Sequence, residues 1–461
     1  MRIGLIDLKD PRDIVIDKTI AGGMGTASRY GHGVFSQALT RLKSRMIRLL
    51  PYNIAYVSAL LKSQGHTPFY STHPILENLD CAVVFSAIPS REVDKNYVKT
   101  LGDAKIPSIV VGTIAGVDPE DYVGARLVIR GEAEAFFARP DWDDRLHSRD
   151  ARGVTVLDAG QVQDLDALPF PDWSIFPSIT SHYAIVSLSR SVLPVVTSRG
   201  CPFSCAYYCP YPLGEGKAMR FRSPESLVGE LHHLRLNYGV RAFKFRDPIF
   251  TINRGRTLTV LEALRENCPD IIWGCETHLS RLDDELLEHM AAAGCRLIQT
   301  GIETTNPRAI QASKRKSAEV AHQERMLAAC ERLGIRTAIY LIFGLPEDTL
   351  DTMRASLDYA CTLPATFVQI TACTPYPGTR FFEDIRHAMR TNDWRELDQY
   401  TPVIQSDHFS AGDIIDLMSR GYRRFYVRPA WLRSVAKVEL ASAGRRLGKR
   451  LGLSKAAIAT R

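Results

Sequence analysis

The sequence has no uninterrupted apolar run of about 18 residues, the length a helix needs to cross a bilayer, so no membrane span is expected. Its opening residues, MRIGLIDLKD, lack the apolar core of a signal peptide and read instead as a first buried strand. No short repeat or low-complexity tract appears, which excludes solenoid, collagen-like and disordered classes. Ten cysteines are present in 461 residues, and seven of them are scattered singly between Cys81 and Cys373. That distribution does not make a disulfide framework, and a reducing, cytoplasmic location is expected. A second close cysteine pair is also missing, so the usual four-ligand zinc set is not offered. The excess of one sign of charge is small: the net charge is +7, and much of it sits in residues 434–461, where seven basic residues face the single acid Glu439. A solvated terminal helix accounts for that tail, and no nucleic-acid partner is expected.

What is present is concentrated in GCPFSCAYYCPYP, residues 200 to 212. Cys201, Cys205 and Cys209 are evenly spaced, with three residues between each pair. Clustered thiolates hold iron–sulfur clusters. A cubane cluster with three protein ligands leaves one iron open to a substrate or cofactor, so the missing fourth thiolate would be functional. Three buried cysteines in an apolar loop are the plain alternative; the fixed spacing beside Gly200 and Pro202 argues against it.

The rest of the chain alternates strand and helix patterns. MRIGLIDL, DCAVVFSA, KIPSIVVGT and ARLVIRGEAEAF read as strands, with a helix at LPYNIAYVSALLKSQG that stops at Gly65. This is an open, doubly wound α/β pattern with a parallel sheet. The Gly-rich segment AGGMGTASRYGHG, residues 21 to 33, follows the first strand, where backbone can approach a ligand closely; a long surface loop explains it equally well. DLDALPFPDWSIFP, residues 164–177, reads as a linker packed by its aromatics. Six β/α units then follow, with strands at LPVVTS, AFKFRD, IIWGCE, RLIQTGIE, TAIYLIFG and FVQITACTP. Six such units argue for most of a barrel, since a complete one has eight. Asp247, Glu276, Glu303 and Glu347 fall at or just after strand ends, on the face where barrel active sites are built. The cysteine loop opens onto the same face. Each acid has an ordinary alternative as a helix cap, the expected role of Asp283 and Asp284.

The cysteine loop, together with FRSPESLVGELHHL, FRDPIFTIN, WGCETHLSRLDDELLEHMAAAGC, TGIETTNP, LIFGLPEDT and TPYPGT, resembles the radical S-adenosylmethionine (SAM) enzymes. More narrowly it is similar to the branch with an N-terminal cobalamin-binding domain. The resemblance implies that Cys201, Cys205 and Cys209 hold a [4Fe–4S] cluster whose open iron chelates SAM. It implies that Asp247 lies near the SAM amino group, that Glu303 meets the ribose or amino group, and that Gly344 to Glu347 pass beside the adenine. Glu276 would face SAM or substrate.

Two departures qualify this resemblance. The family places two residues between its second and third cysteines, whereas here Tyr207 and Tyr208 make that gap three. The wider spacing resembles the radical SAM diol dehydratases of apramycin-type aminoglycoside biosynthesis. No D-x-H-x-x-G histidine motif is present, and the late strand reads IVVGTIAG, with Thr113 where a second glycine is usual. Cobalamin is therefore expected to be absent although its fold is kept.

The expected architecture is a cobalamin-binding-like α/β domain over 1–140, a linker over 141–190, a partial (β/α)6 radical SAM barrel over 191–390 and a helical C-terminal extension over 391–461. The expected reaction is removal of the C3′ hydroxyl of paromamine to a 4′-keto product, with Glu215, Asp247 and Glu276 as candidate catalytic acids. An external low-potential donor of flavodoxin or ferredoxin type would supply the electron. The rivals are cobalamin-dependent methyl transfer to a natural-product carbon and a non-catalytic iron–sulfur protein.

Overall fold

The computed structural model describes residues 1–10, 16–27, 33–147, 154–179, 182–183 and 191–450. Part of the Gly-rich segment, residues 28–32, and the tail beyond 450 lie outside the described residues.

The first sheet is built from β1 (Arg2–Ile6), β2 (Thr67–Ser71), β3 (Cys81–Phe85), β4 (Ser108–Val111), β5 (Leu127–Gly131) and β6 (Thr155–Gly160), in the order β2-β1-β3-β4-β5-β6. Every pairing in it is parallel. β3 and β4 are buried along their whole length; helices cover both faces, and the strands read as continuous apolar runs for that reason. The chain order reverses between β1 and β3, which makes a crevice at the carboxyl ends of these strands. β2 (TPFYS) and β6 (TVLDAG) are edge strands that the sequence pattern did not reveal, because a half-covered edge needs fewer apolar residues. β6 falls inside the segment expected to be a linker, so the first sheet continues past residue 140.

The second sheet holds β7 (Val192–Val195), β8 (Ala242–Phe245), β9 (Ile272–Glu276), β10 (Cys295–Glu303), β11 (Arg336–Phe343) and β12 (Phe367–Ala372) in sequential order, all parallel. These are the six expected barrel strands. Among the described residues β7 and β12 do not pair, so the sheet is three quarters of an eight-stranded barrel. Local signals fix the intervening helices. Ser223 accepts from the Ser226 amide at 3.1 Å ahead of Pro224, and the same helix stops at Gly239 in the left-handed region. Asp283 accepts from the Leu286 amide at 2.7 Å, the capping role expected of it. Phe245, Phe250 and Trp273 pack with ring centroids 5.0 to 5.3 Å apart. Truncating so buried an indole as Trp273 costs about 3–5 kcal/mol.

Helices Ala411–Val427 and Pro429–Arg450 form the C-terminal extension. The Tyr422 hydroxyl both donates to the Ile370 carbonyl and accepts from its amide, each at 2.8 Å, which docks the first of these helices on β12. A helix at Val34–Met46, between β1 and β2, was not anticipated. No helix among the described residues is long and apolar enough to cross a membrane.

Candidate active site

The cysteine loop is a closed lariat. Ser198–Arg199 pairs antiparallel with Arg220–Phe221 and ties its two ends together. Gly200 has φ +96°, and a Cβ there would sit 2.1 Å from the Ala218 carbonyl oxygen, so glycine is required. The Cys201 amide donates to the Gly216 carbonyl at 3.0 Å, and the Gly200 amide to the Glu215 carboxylate at 3.2 Å. Beyond a 3-10 turn at Ser204–Tyr207, the Cys209 amide donates to the Cys205 carbonyl at 2.8 Å.

This turn explains how the wider spacing is tolerated. Residues three and four apart lie on the same side of a helical turn, so one extra residue does not swing Cys209 away from Cys205. Tyr208, at the usual third-ligand position, directs its hydroxyl to Arg315, which donates to it at 3.3 Å. The thiol of Cys209 donates to Cys205, which holds the Cys205 thiol below its ordinary range; Arg315 lowers it further. Cys209 is correspondingly pushed up by Cys205 and by burial. Burial raises Cys201 to about 11, with Cys205 and Glu215 adding to the rise and a hydrogen bond to the Phe203 backbone opposing it. Among the described residues no three His, Cys, Asp or Glu side chains converge as a single-ion site. A donor set of three thiols and no imidazole suits a polynuclear iron–sulfur cluster better than zinc.

Cys205 and Cys209 open onto a cavity of about 770 Å³ that runs from the carboxyl ends of the second sheet into its interior, as far as Ala338 and Phe367. That volume is in the range of small-molecule sites. Apolar and aromatic side chains make most of its wall, and its charged groups come in pairs. Glu276 lies 3.2 Å from Lys244 and 4.0 Å from Arg246. Glu303 lies 3.2 Å from Arg315. Glu303 has φ +65°, beside an irregularity in the β10–β11 register, which turns the strand end toward the cavity. Burial raises its carboxyl, and Arg315 opposes that shift. The opposite wall comes from the first domain: Asp17, Ile20, Ala21, Thr26 and residues of the Val34–Met46 helix.

The structure thus gathers four of the expected residues, Cys205, Cys209, Glu276 and Glu303, at one cavity, with Cys201 buried at the base of the loop. Others are placed elsewhere. Asp247 is fully buried and off the cavity. Its carboxylate accepts from the Thr197 amide at 2.8 Å, from the Thr197 hydroxyl, and from Ser198 at 2.7 Å. Strand alternation turns Arg246 toward the cavity and Asp247 inward, so Asp247 ties β8 to the end of β7 rather than facing a ligand. Glu215 is likewise off the cavity and holds the Gly200 amide; burial pushes its carboxyl up to about 7 against the pull of Arg199. Gly344, at φ +81°, lets Ile414 of the C-terminal extension approach; a Cβ there would lie 2.9 Å from Ile414 Cδ1. Glu347 is exposed, and its carbonyl accepts from Asn306 at 2.8 Å. Sequence reasoning missed Arg246, Gln299, Arg315, Tyr340 and Asp17. Arg246 stood inside the quoted motif FRDPIFTIN, whereas Arg315, in the SKRK segment after TGIETTNP, and Asp17, which arrives from the other domain, had no signal.

The crevice of the first sheet is filled by the chain itself. Lys18 inserts between Asp7 at 3.4 Å and Asp94 at 3.6 Å, and donates to the Phe85 carbonyl at 2.6 Å. Thr113 donates to the Gly22 carbonyl at 2.6 Å. Gly22 in turn packs on Pro210 and Tyr211, just past Cys209.

Residues 195–360, which span β8 to β11 and the whole cysteine loop, match the family model for the radical SAM superfamily. Over those residues the chain is similar to radical SAM domains. Among curated relatives, the chain is 28% identical to an uncharacterized methyltransferase of Pyrococcus horikoshii, over 66% of this chain and 67% of that protein. It is 23% identical to the bacteriochlorophyllide d C-12(1)-methyltransferase of Chlorobaculum tepidum, over 74% of each. Among solved structures, the radical SAM methyltransferase TsrM of Kitasatospora setae, with cobalamin and a [4Fe–4S] cluster bound, superimposes with a TM-score of 0.59 at 16% identity, covering 95% of this chain and 90% of that one. The cobalamin-dependent radical SAM enzyme OxsB gives a TM-score of 0.55 at 13% identity, over 92% and 56%. At such identities these structures establish the fold: a parallel α/β domain, a partial β/α barrel and a helical extension.

Proposed function

We propose that the protein is a radical SAM enzyme that abstracts hydrogen from a small molecule held in the cavity between the barrel and, from the first domain, residues 17–26 and the Val34–Met46 helix. The observation that carries this is the opening of Cys205 and Cys209 onto that cavity. When bound, a cluster on Cys201, Cys205 and Cys209 together with SAM would supply a 5′-deoxyadenosyl radical. The chain's own residues bind and orient. Arg246 and Arg315 offer guanidinium groups to a carboxylate, Glu276 and Glu303 offer acceptors to an ammonium or ribose, and the aromatic walls exclude water.

The named relatives support methyl transfer to carbon better than dehydration, since several are methyltransferases. Dehydration of an aminoglycoside is the second reading, and two features of this chain favour it. One is the three-residue gap before Cys209. The other is the filled crevice: with Lys18 and Gly22 in place, the residues at the carboxyl ends of β1, β3 and β4 do not fit a corrin.

One experiment separates the readings. The anaerobically reconstituted protein is given SAM and a low-potential reductant, with and without cobalamin, and with paromamine deuterated at C4′. Methyl transfer expects cobalt in the purified protein and a methylated product. Dehydration expects cobalamin-independent turnover, deuterium in 5′-deoxyadenosine and a product lighter by one water. Absence of any SAM cleavage, with the cluster present, would leave only an electron-transfer or sensing role and overturn the proposal.

A further inference from the structure

The first domain reaches the cysteine loop from both sides. On the leading side, Arg199 lies two residues before Cys201 and is buried between Glu132 at 2.9 Å and Glu134 at 2.8 Å, both from the end of β5 and the helix after it. Its hairpin partner Arg220 pairs with the same Glu132 at 2.7 Å and donates to the Val162 carbonyl at 2.6 Å. On the trailing side, the short helix Tyr211–Glu215 follows Cys209 directly and lies against Gly22 and Thr113. The fit there is close. A Cβ on Gly22 would sit 2.6 Å from the Pro210 carbonyl, and one on Gly214 would sit 2.5 Å from the Gly22 carbonyl and 2.7 Å from Thr113 Oγ1. The Thr113 hydroxyl fixes Gly22 in this position through its 2.6 Å hydrogen bond.

From this arrangement we infer that the first domain acts as a clamp on the cysteine loop, with Thr113 a positioning residue that sets Cys209. The inference rests on the reading that the three cysteines hold a cluster. A loop one residue wider than usual has more backbone freedom at its third ligand, and freedom there must be removed from outside the loop. Thr113 is thereby given a task. Its hydroxyl, which closes the crevice to a ligand, spends its hydrogen bond on the segment that carries Cys209. Arg199 and its two carboxylates hold the other end. Arg199, Glu132 and Glu134 are buried, and Thr113 is half-buried against Gly22 and Gly214, so both sides hold the loop through packed contacts rather than as a mobile surface pair.

The test uses the full-length protein with its cluster and reads iron release to a chelator together with the EPR spectrum of the reduced cluster with and without SAM. Thr113→Val keeps the side-chain shape and removes the hydroxyl; Thr113→Ser keeps the hydroxyl. The expected result is iron release faster by about tenfold in Thr113→Val, the ratio that one intramolecular hydrogen bond commands at the upper end of its range. Thr113→Ser should release iron at the wild-type rate and restore the wild-type SAM-induced spectral change. Glu134→Gln, on the opposite side, should speed release in the same direction. Thr113→Val that is folded and indistinguishable from wild type in both readouts would overturn the clamp while leaving the cluster assignment intact. Equal defects in the Val and Ser variants would overturn it too, because the hydroxyl would then not be the cause. Wild-type protein that takes up no iron on reconstitution would fail earlier and differently, by removing the cluster reading on which the clamp rests.

Discussion

The two parallel sheets of this protein end in opposite ways. At the carboxyl ends of the first, Lys18 is ion-paired with Asp7 and Asp94, Ser86 and Ser90 donate to Asp94, and Thr113 closes onto Gly22. At the carboxyl ends of the second, the strand-end acids are paired but face a cavity of about 770 Å³ with two thiols in its wall. Both ends have the topology that places ligand sites. Topology therefore nominates a site, and the side chains decide whether it is open. Polar groups that consume each other make structure; polar groups that leave room for a third party make a site.

The sharpest way to break the comparison is to remove the thiols. Cys201→Ala, Cys205→Ala and Cys209→Ala should each abolish SAM cleavage and lower bound iron, measured by product analysis and iron content. Tyr208→Phe should retain both, since its hydroxyl is already engaged by Arg315. Full cluster content in Cys209→Ala would mean that the wider turn does not deliver the third ligand.

The next effect concerns stability. Glu132→Ala strips Arg199 and Arg220 of a shared buried partner, and removing one member of such a network costs about 3–5 kcal/mol. The expected outcome is a matching drop in unfolding free energy by denaturant titration. A change below about 1 kcal/mol would place this ion pair with ordinary surface bridges and loosen the join between the two regions.

Within the open region, Glu303→Gln leaves the buried Arg315 without its countercharge. Losing one partner of a buried charge pair in a binding site costs about 2 kcal/mol or more, so kcat/KM for SAM cleavage should fall by about 30-fold. Glu347→Gln, by contrast, should change little, because that side chain is exposed outside the cavity.

The contrast between the regions also explains what the sequence could reveal. The central strands were legible because both faces are largely screened from solvent, by helices for DCAVVFSA and by helices outside and the barrel interior inside for TAIYLIFG, and such apolar runs have few other uses. The cysteine loop was legible from spacing alone. The edge strands Thr67–Ser71 and Thr155–Gly160 were hidden, since half-covered strands carry no such run. Asp247 misled for a related reason: strand-end position was visible, but which of two successive residues points to the cavity depends on register. Asp17 and Lys18 were invisible because their partners come from distant segments, the barrel for one and the first sheet's crevice for the other.

The smallest expected effect sharpens the account of the closed end. Burial pushes the Asp94 carboxyl up to about 6 from its ordinary 3.8, while Lys18 and the hydroxyls of Ser90 and Ser86 pull it down and Asp7 adds to the rise. A carboxyl raised in the folded state holds its proton more tightly there than in the unfolded chain. Its contribution to stability is therefore fully present below pH 3.8 and is lost as pH rises through about 6. Between pH 5 and 7 that loss is about 1 kcal/mol. Asp94→Asn keeps an acceptor for Ser86 and Ser90 and removes the titration. The unfolding free energy of wild type minus that of the Asn variant should thus fall by about 1 kcal/mol from pH 5 to pH 7, read by denaturant melts at each pH. If the difference grew with pH instead, attraction to Lys18 would outweigh burial, and the crevice would be held by a net favourable ion pair. A flat difference would mean that the two forces cancel, and that the crevice is closed by packing and the Thr113 hydrogen bond rather than by charge.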